Sequence, residues 1–224
     1  MDGPDRGAKK AALRNWLDYH GGWLVFGLVL LWLLGSSLIG SLKKPKSDVR
    51  VAYVGSETLT DSAAAAIQTA LEQFCEDRNG DGQVLVEVVD YKIPSLFQPQ
   101  LTGIMDYVEQ ASLAGDLEAC ESEIFLLEDA AAFQRQTLRL ELPDGTLPAE
   151  DDESGESNAV RWSDCPVLTA LDLNGGESGL MVVDADRAFI ANLEICLRGY
   201  DTQEKRDEHR AAAGLMAAIT AGAR

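Results

Sequence analysis

From Gly21 to Leu42 the chain carries no charged residue. The stretch GGWLVFGLVLLWLLGSSLIGSL is close to the ~20 apolar residues that cross a bilayer core. In hydrocarbon only a helix satisfies the backbone of a single segment. Trp16, Tyr19 and Trp23 cluster at one end, where an interfacial aromatic belt belongs, and Lys43, Lys44 and Lys46 close the other. A cleaved signal peptide is the competing reading. The run exceeds a typical apolar signal region, no small-x-small cleavage site follows it, and no cysteine stands after it for lipid attachment. The pattern predicts a basic tail over 1–20, a transmembrane helix over 21–42, a juxtamembrane stalk over 43–49 and a globular domain over 50–224.

Four basic residues precede the span and four follow it, so the positive-inside rule gives a tie. The short basic tail and the acidic domain beyond the span favour an uncleaved signal anchor at the cell membrane. Its N-terminus would then be cytoplasmic and its C-terminal domain extracytoplasmic. Residues 51–224 hold 33 acidic and 11 basic side chains, a net of −22. Such a domain is repelled by nucleic acid and by anionic lipid. The expected partners are the lipid bilayer through residues 21–42 and a membrane protein; nucleic acid is excluded.

Val51–Val54 reads as a buried strand. Thr60 or Asp61 caps a helix whose inner face is Ala64, Ile67, Leu71, Phe74 and Cys75. The turn Asp77-Arg-Asn-Gly-Asp-Gly82 ends it, and Val84–Val89 follows as a second strand. Leu101, Ile104, Met105 and Val108 have the spacing of an inward helical stripe, with Gly115 as a C-cap. Glu123–Leu127 is a third strand and Asp129–Gln136 a short helix. Strands alternating with amphipathic helices imply an α/β domain with a mainly parallel sheet flanked by helices. Residues 143–160 are polar and acidic and read as a flexible loop or irregular hairpin. Val167–Leu173 and Gly179–Val183 are candidate strands, and Thr202–Ala221 a terminal helix packing through Ala212, Leu215, Met216 and Ile219.

Residues 48–135 resemble the first lobe of a two-lobed extracellular solute-binding protein. The match lies in a helix ending in an aromatic (Ala70-Leu-Glu-Gln-Phe74), a valine-rich strand (Val84–Val89), a glycine-acid turn (Ala114-Gly115-Asp116) and a strand ending in acids (Ile124-Phe-Leu-Leu-Glu-Asp129). The chain has room for one such lobe. The resemblance implies a single lobe-like domain beside an ABC-type transporter. The whole chain is similar to membrane-anchored proteins of Clostridia-like bacteria, a similarity that implies no activity.

Asp77, Asn79 and Asp81 occupy positions 1, 3 and 5 of a calcium loop, with Gly82 at position 6. Position 12, which should be a bidentate Glu, is Val88. The motif is an incomplete calcium site, with Glu76 adjoining, or a tight helix-to-strand turn. His20 and His209 are the two histidines, and neither has a nucleophile and acid at a motif spacing. Asn174–Gly179 lacks a phosphate-loop lysine and reads as a hairpin loop. Trp162 beside Asp164 lines a pocket or sits in the core. Cys75, Cys120, Cys165 and Cys196 contain no CxxC pair, so a zinc site is not expected; they are either reduced or joined as two disulfides. No catalytic residues and no cofactor are expected, calcium aside. The sequence therefore points to a non-enzymatic, membrane-tethered interaction or accessory domain, with a small-solute or calcium-binding protein as the alternative.

Overall fold

The computed structural model describes Phe26 and residues 46–98, 100, 103–171, 173 and 183–223. The chain divides into two units, Met1–Pro45 and Lys46–Arg224. Of the first unit only Phe26 is described, helical and exposed. The rest of the predicted span 21–42, the glycine-rich segment 174–179 and Leu101 lie outside the described residues. No helix among the described residues is long and apolar enough to cross a membrane.

In the second unit the first strand, β1 (Val49–Gly55), is buried along its length except at Arg50. Its side chains alternate between two cores: Val49, Val51 and Tyr53 enter one, Ala52 and Val54 the other. A strand covered on both faces reads as a continuous apolar run, which is why Val51–Val54 is legible as a strand. Helix α1 (Asp61–Glu72) starts where the Thr60 hydroxyl accepts the Ala63 N–H, and it buries Ala63, Ala66, Ile67, Ala70 and Leu71. Phe74 and Cys75 lie beyond its end yet still pack on the core. The chain then returns through β2 (Val86–Lys92), the short α2 (Pro94–Phe97), α3 (Ile104–Ala119), β3 (Ile124–Leu127) and α4 (Ala130–Thr137). Asp129 caps α4 by accepting the Ala132 N–H.

The sheet is mixed, with order β2-β1-β3-β5-β4, where β4 is Val160–Arg161 and β5 is Glu194–Leu197. β1 lies parallel to β2 and β3, as the alternation of strands and helices predicts. β5 runs antiparallel to β3 and β4, so the sheet is not mainly parallel. A further parallel strand would need a crossover back to the amino edge. Instead α6 (Asp184–Asn192) ends two residues before Glu194, which pairs with Leu127 at the carboxyl end of β3.

The predicted strand Val167–Leu173 is not formed among its described residues. Pro166 starts a short helix there, α5 (Pro166–Thr169), with proline in the first turn, where its missing N–H costs nothing. Gly179–Val183 lies outside the described residues apart from Val183, the residue before α6. The terminal helix is two helices, α7 (Gln203–Glu208) and α8 (Arg210–Ile219), because His209 leaves helical geometry where Glu123 holds its ring. The predicted stripe of Ala212, Leu215, Met216 and Ile219 is buried in α8. Helices α1, α6 and α8 cover one face of the sheet and α2, α3 and α4 the other. Trp162 is a core residue. Of the acidic segment 143–160, residues 143–159 form an irregular loop and Val160 begins β4. The loop turns at Leu142–Thr146 and is tied back where Asn158 N–H donates to the Glu141 carbonyl.

Helix α3 reverses a prediction. Ile104, Met105 and Val108 are 83%, 69% and 51% exposed, while Asp106, Leu113 and Asp116 are buried. The two acids face inward because partners await them. Asp106 accepts the Ser95 N–H and hydroxyl and the Gln110 amide. Asp116 accepts the Tyr91 and Ser122 hydroxyls and the Ser122 N–H. Hydrogen bonding offsets the cost of taking these acids out of water. Gly115 lies inside α3; the helix ends at Cys120, which is left-handed at φ 57°.

Candidate functional site

Open α/β sheets bind ligands at the carboxyl ends of parallel strands, where strand order reverses. Here that point lies between β1 and β3. The Tyr53 hydroxyl sits 2.8 Å from Glu128 Oε1 and 2.9 Å from the Glu57 carbonyl. Ser56 donates to Glu128 Oε2 at 2.8 Å, and Ser62 to Asp186 Oδ2 at 2.7 Å. Glu194 accepts the Ala130 N–H at 2.8 Å. Asp90 accepts the Leu59 N–H at 3.0 Å through one oxygen, while its other oxygen is buried without a partner. Burial raises the Asp90 carboxyl above its usual range, and burial together with Glu128 raises the Tyr53 phenol. This edge is rich in acids, and most of them serve neighbouring hydroxyls and N–H groups. The contacts knit the edge together.

The calcium-like turn is also satisfied from within. Asp77 accepts the N–H groups of Gly80 at 2.7 Å and Gly82 at 2.8 Å. Asn79 accepts the Asp81 N–H, and Asp81 the Gln83 N–H. Gly80 and Gly82 have φ of 72° and 84°, the left-handed values that tight turns demand of glycine. The three predicted site residues thus stand together in a helix-to-strand turn, and Val88 lies inside β2. Among the described residues no three His, Cys, Asp or Glu side chains converge as metal ligands.

At the opposite end of the sheet Glu123 is a buried acid. Glu123 takes the Arg78 Nη1 at 2.8 and 3.0 Å and the His209 Nδ1 at 2.5 Å. The His209 ring stacks on Tyr200 at 4.6 Å. Asp48 accepts three backbone N–H groups, from Arg78, Asn79 and Leu85. Burial works against its charge, but these bonds and the Arg78 guanidinium outweigh it and hold its carboxyl below the usual value. The cluster clamps the 77–82 turn and the terminal helices onto β1 and β3. Partners this distant in sequence leave no local signal.

The remaining feature is the outer side of α3. Ile104, Met105, Tyr107 and Val108 all face solvent. Ala111, Ser112 and Gly115 continue the same side, also exposed and uncharged. Beside it runs a cleft of about 530 Å³ between α2, α3 and α4, floored by Ile93, Leu96, Leu113 and Leu117. Helix α3 carries Asp106, Glu109, Asp116 and Glu118 and no basic residue. Large apolar side chains are thus gathered in the open on one helix.

Compared with protein families, with curated proteins and with solved structures, the chain finds no match in any of the three.

Proposed function

We propose that the chain is a membrane-tethered, extracytoplasmic α/β domain that acts by holding another membrane protein, without catalysis. An ABC-type transporter is the partner that the resemblance to solute-binding lobes suggests. The observation that carries this reading is the apolar outer side of α3, opened by Ile104, Met105, Tyr107 and Val108. A chain that needed these residues for its own core would bury them; this fold leaves them available at no cost to its packing. The test is cross-linking of the full-length chain in native membranes, read together with protease protection of a C-terminal tag. Recovery of one membrane protein in stoichiometric adduct, with the tag cleaved from outside intact cells, supports the reading. Recovery of the domain alone, or a tag protected until lysis, sinks it.

A second reading is a binding protein for a small solute. The cleft beside α3 lies within the roughly 300–1,000 Å³ common for ligand sites and has an apolar floor with Gln110, Gln136, Thr137, Glu118 and Arg139 as its polar lining. Calcium at Asp77, Asn79 and Asp81 belongs to the same reading. Thermal shift of the full chain against a solute panel and calcium tests both, and no shift with any of them counts against it.

A further inference from the structure

Resting on the interaction reading, the geometry points to the kind of partner: we propose that α3 receives an amphipathic helix whose apolar stripe is rimmed by lysine or arginine. Three observations carry this choice of occupant.

The first is charge. Glu109 and Glu118 flank the uncharged face and α3 itself carries no base, while one base, Arg139, lines the adjoining cleft with Glu118. A partner carrying Lys or Arg beside its apolar stripe pairs with this rim, whereas an acidic one is repelled. A second copy of the chain would bring the same glutamates against them, in a domain with 33 acidic and 11 basic residues from 51 to 224. Self-association is therefore the disfavoured occupant.

The second is place. The chain enters the domain at Val49, the amino edge of the sheet, and α3 starts at the carboxyl edge, because it follows β2 and runs back to β3. Along this helix of sixteen residues Ile104 thus stands about 22 Å, and Val108 about 16 Å, from its amino-edge end. The acidic rim disfavours anionic lipid.

The third is shape. The large residues occupy the first turns of α3 and the small ones, Ala111, Ser112, Ala114 and Gly115, the later turns, where a helix can approach closely. The cleft floored by Leu113 and Leu117 lies directly beside them, so the surface is a groove flanked by a ridge. Such a surface suits a helix laid along it, read through anchors spaced three and four residues apart.

The test uses the full chain in nanodiscs of zwitterionic lipid, with benzoylphenylalanine in place of Val108. The probe is a Leu/Lys amphipathic helical peptide of about 18 residues, five turns; a Leu/Glu peptide with the same apolar stripe is the control. The expected result is a saturable photo-adduct at 108 with the Leu/Lys peptide and none with the Leu/Glu peptide. In separate binding titrations Val108→Lys or Ile104→Lys weakens the Leu/Lys peptide by roughly tenfold or more, and added salt weakens it further. Both positions are exposed, and an unchanged melting temperature shows that the fold survives. Equal adducts with both peptides, or Leu/Lys binding indifferent to both substitutions, overturns the proposal. An adduct to lipid or to a second copy overturns it in favour of that occupant. If residue 108 cross-links a membrane protein in cells while the Leu/Lys peptide fails, the partner's chemistry is wrong and the interaction reading stands. If both fail, the reading falls with it.

Discussion

A β-carbon placed on Gly55 would lie 1.8 Å from the hydroxyl oxygen of Tyr53 and 2.6 Å from Glu128 Oε1. Gly55 is therefore glycine because the Tyr53–Glu128 hydrogen bond fills the space beside it. Gly55→Ala is expected to cost about 1–3 kcal/mol, the usual range for overpacking. In a Tyr53→Phe background the same change is expected to cost less but not nothing, since the hydroxyl is gone while the ring carbon Cζ at 2.4 Å and Glu128 Oε1 remain. Thermal denaturation of the four chains of this double-mutant cycle checks it, and additive losses would show that the clash is relieved elsewhere.

Asp48 sets an acid limit on stability. Its carboxyl is held below the usual 3.8 in the folded chain. A depressed folded value means that its stabilisation is complete above the unfolded value and is lost as pH falls through the folded one. The stability of the chain is expected to hold down to about pH 4 as far as Asp48 is concerned, and to fall below that. Asp48→Asn leaves at least one of its backbone donors without an acceptor and costs about 1–3 kcal/mol at neutral pH. The part of the acid limb due to Asp48 is lost with it. Urea titrations of both chains from pH 7 to pH 3 measure the difference.

Substitutions on α3 separate its two faces. Ile104→Ser and Met105→Ser remove apolar side chains that are already in water, so they are expected to change stability by no more than about 0.5 kcal/mol. Leu113→Ala, 4% exposed in the core against the sheet, is expected to cost about 2–5 kcal/mol. If Ile104→Ser destabilised as much as Leu113→Ala, α3 would be rotated from the arrangement described here.

The four cysteines are unpaired and differ in burial. Burial pushes the Cys75 thiol up to about 11 and raises Cys165 and Cys196 as well. The thiolate is the reactive form. Iodoacetamide at neutral pH is expected to label half-exposed Cys120 first and Cys75 more slowly. Cys165 and Cys196 follow only on unfolding. Mass spectrometry of a labelling time course gives the order. Fewer than four labels on the unreduced, denatured chain would indicate a disulfide instead.

Much of the first half of the domain is legible along the chain. Val51–Val54 is apolar at every position, which only a strand buried on both faces tolerates, and β1 is that strand. Thr60 and Asp129 announce helix starts because their side chains bond to N–H groups three residues on. Asp77–Gly82 turns because its acceptors reach its own backbone. Each of these signals works through neighbours a few residues away.

What failed did so for the same reason in reverse. Leu193, Ile195, Cys196 and Leu197 are apolar around Glu194, yet their antiparallel seat beside β3 depends on where α6 ends. The apolar spacing of Ile104, Met105 and Val108 predicts an inward face. Asp106 and Asp116 take that place because Ser95, Tyr91 and Ser122, up to 25 residues away, satisfy them. The Glu123–His209 contact joins residues 86 apart. The sequence by itself determined the local periods, caps and turns, since these rest on bonds within a few residues. The tertiary structure decided strand direction, the pairing of buried charge and which face of α3 meets water, because each depends on contacts that exist only once distant segments are packed together.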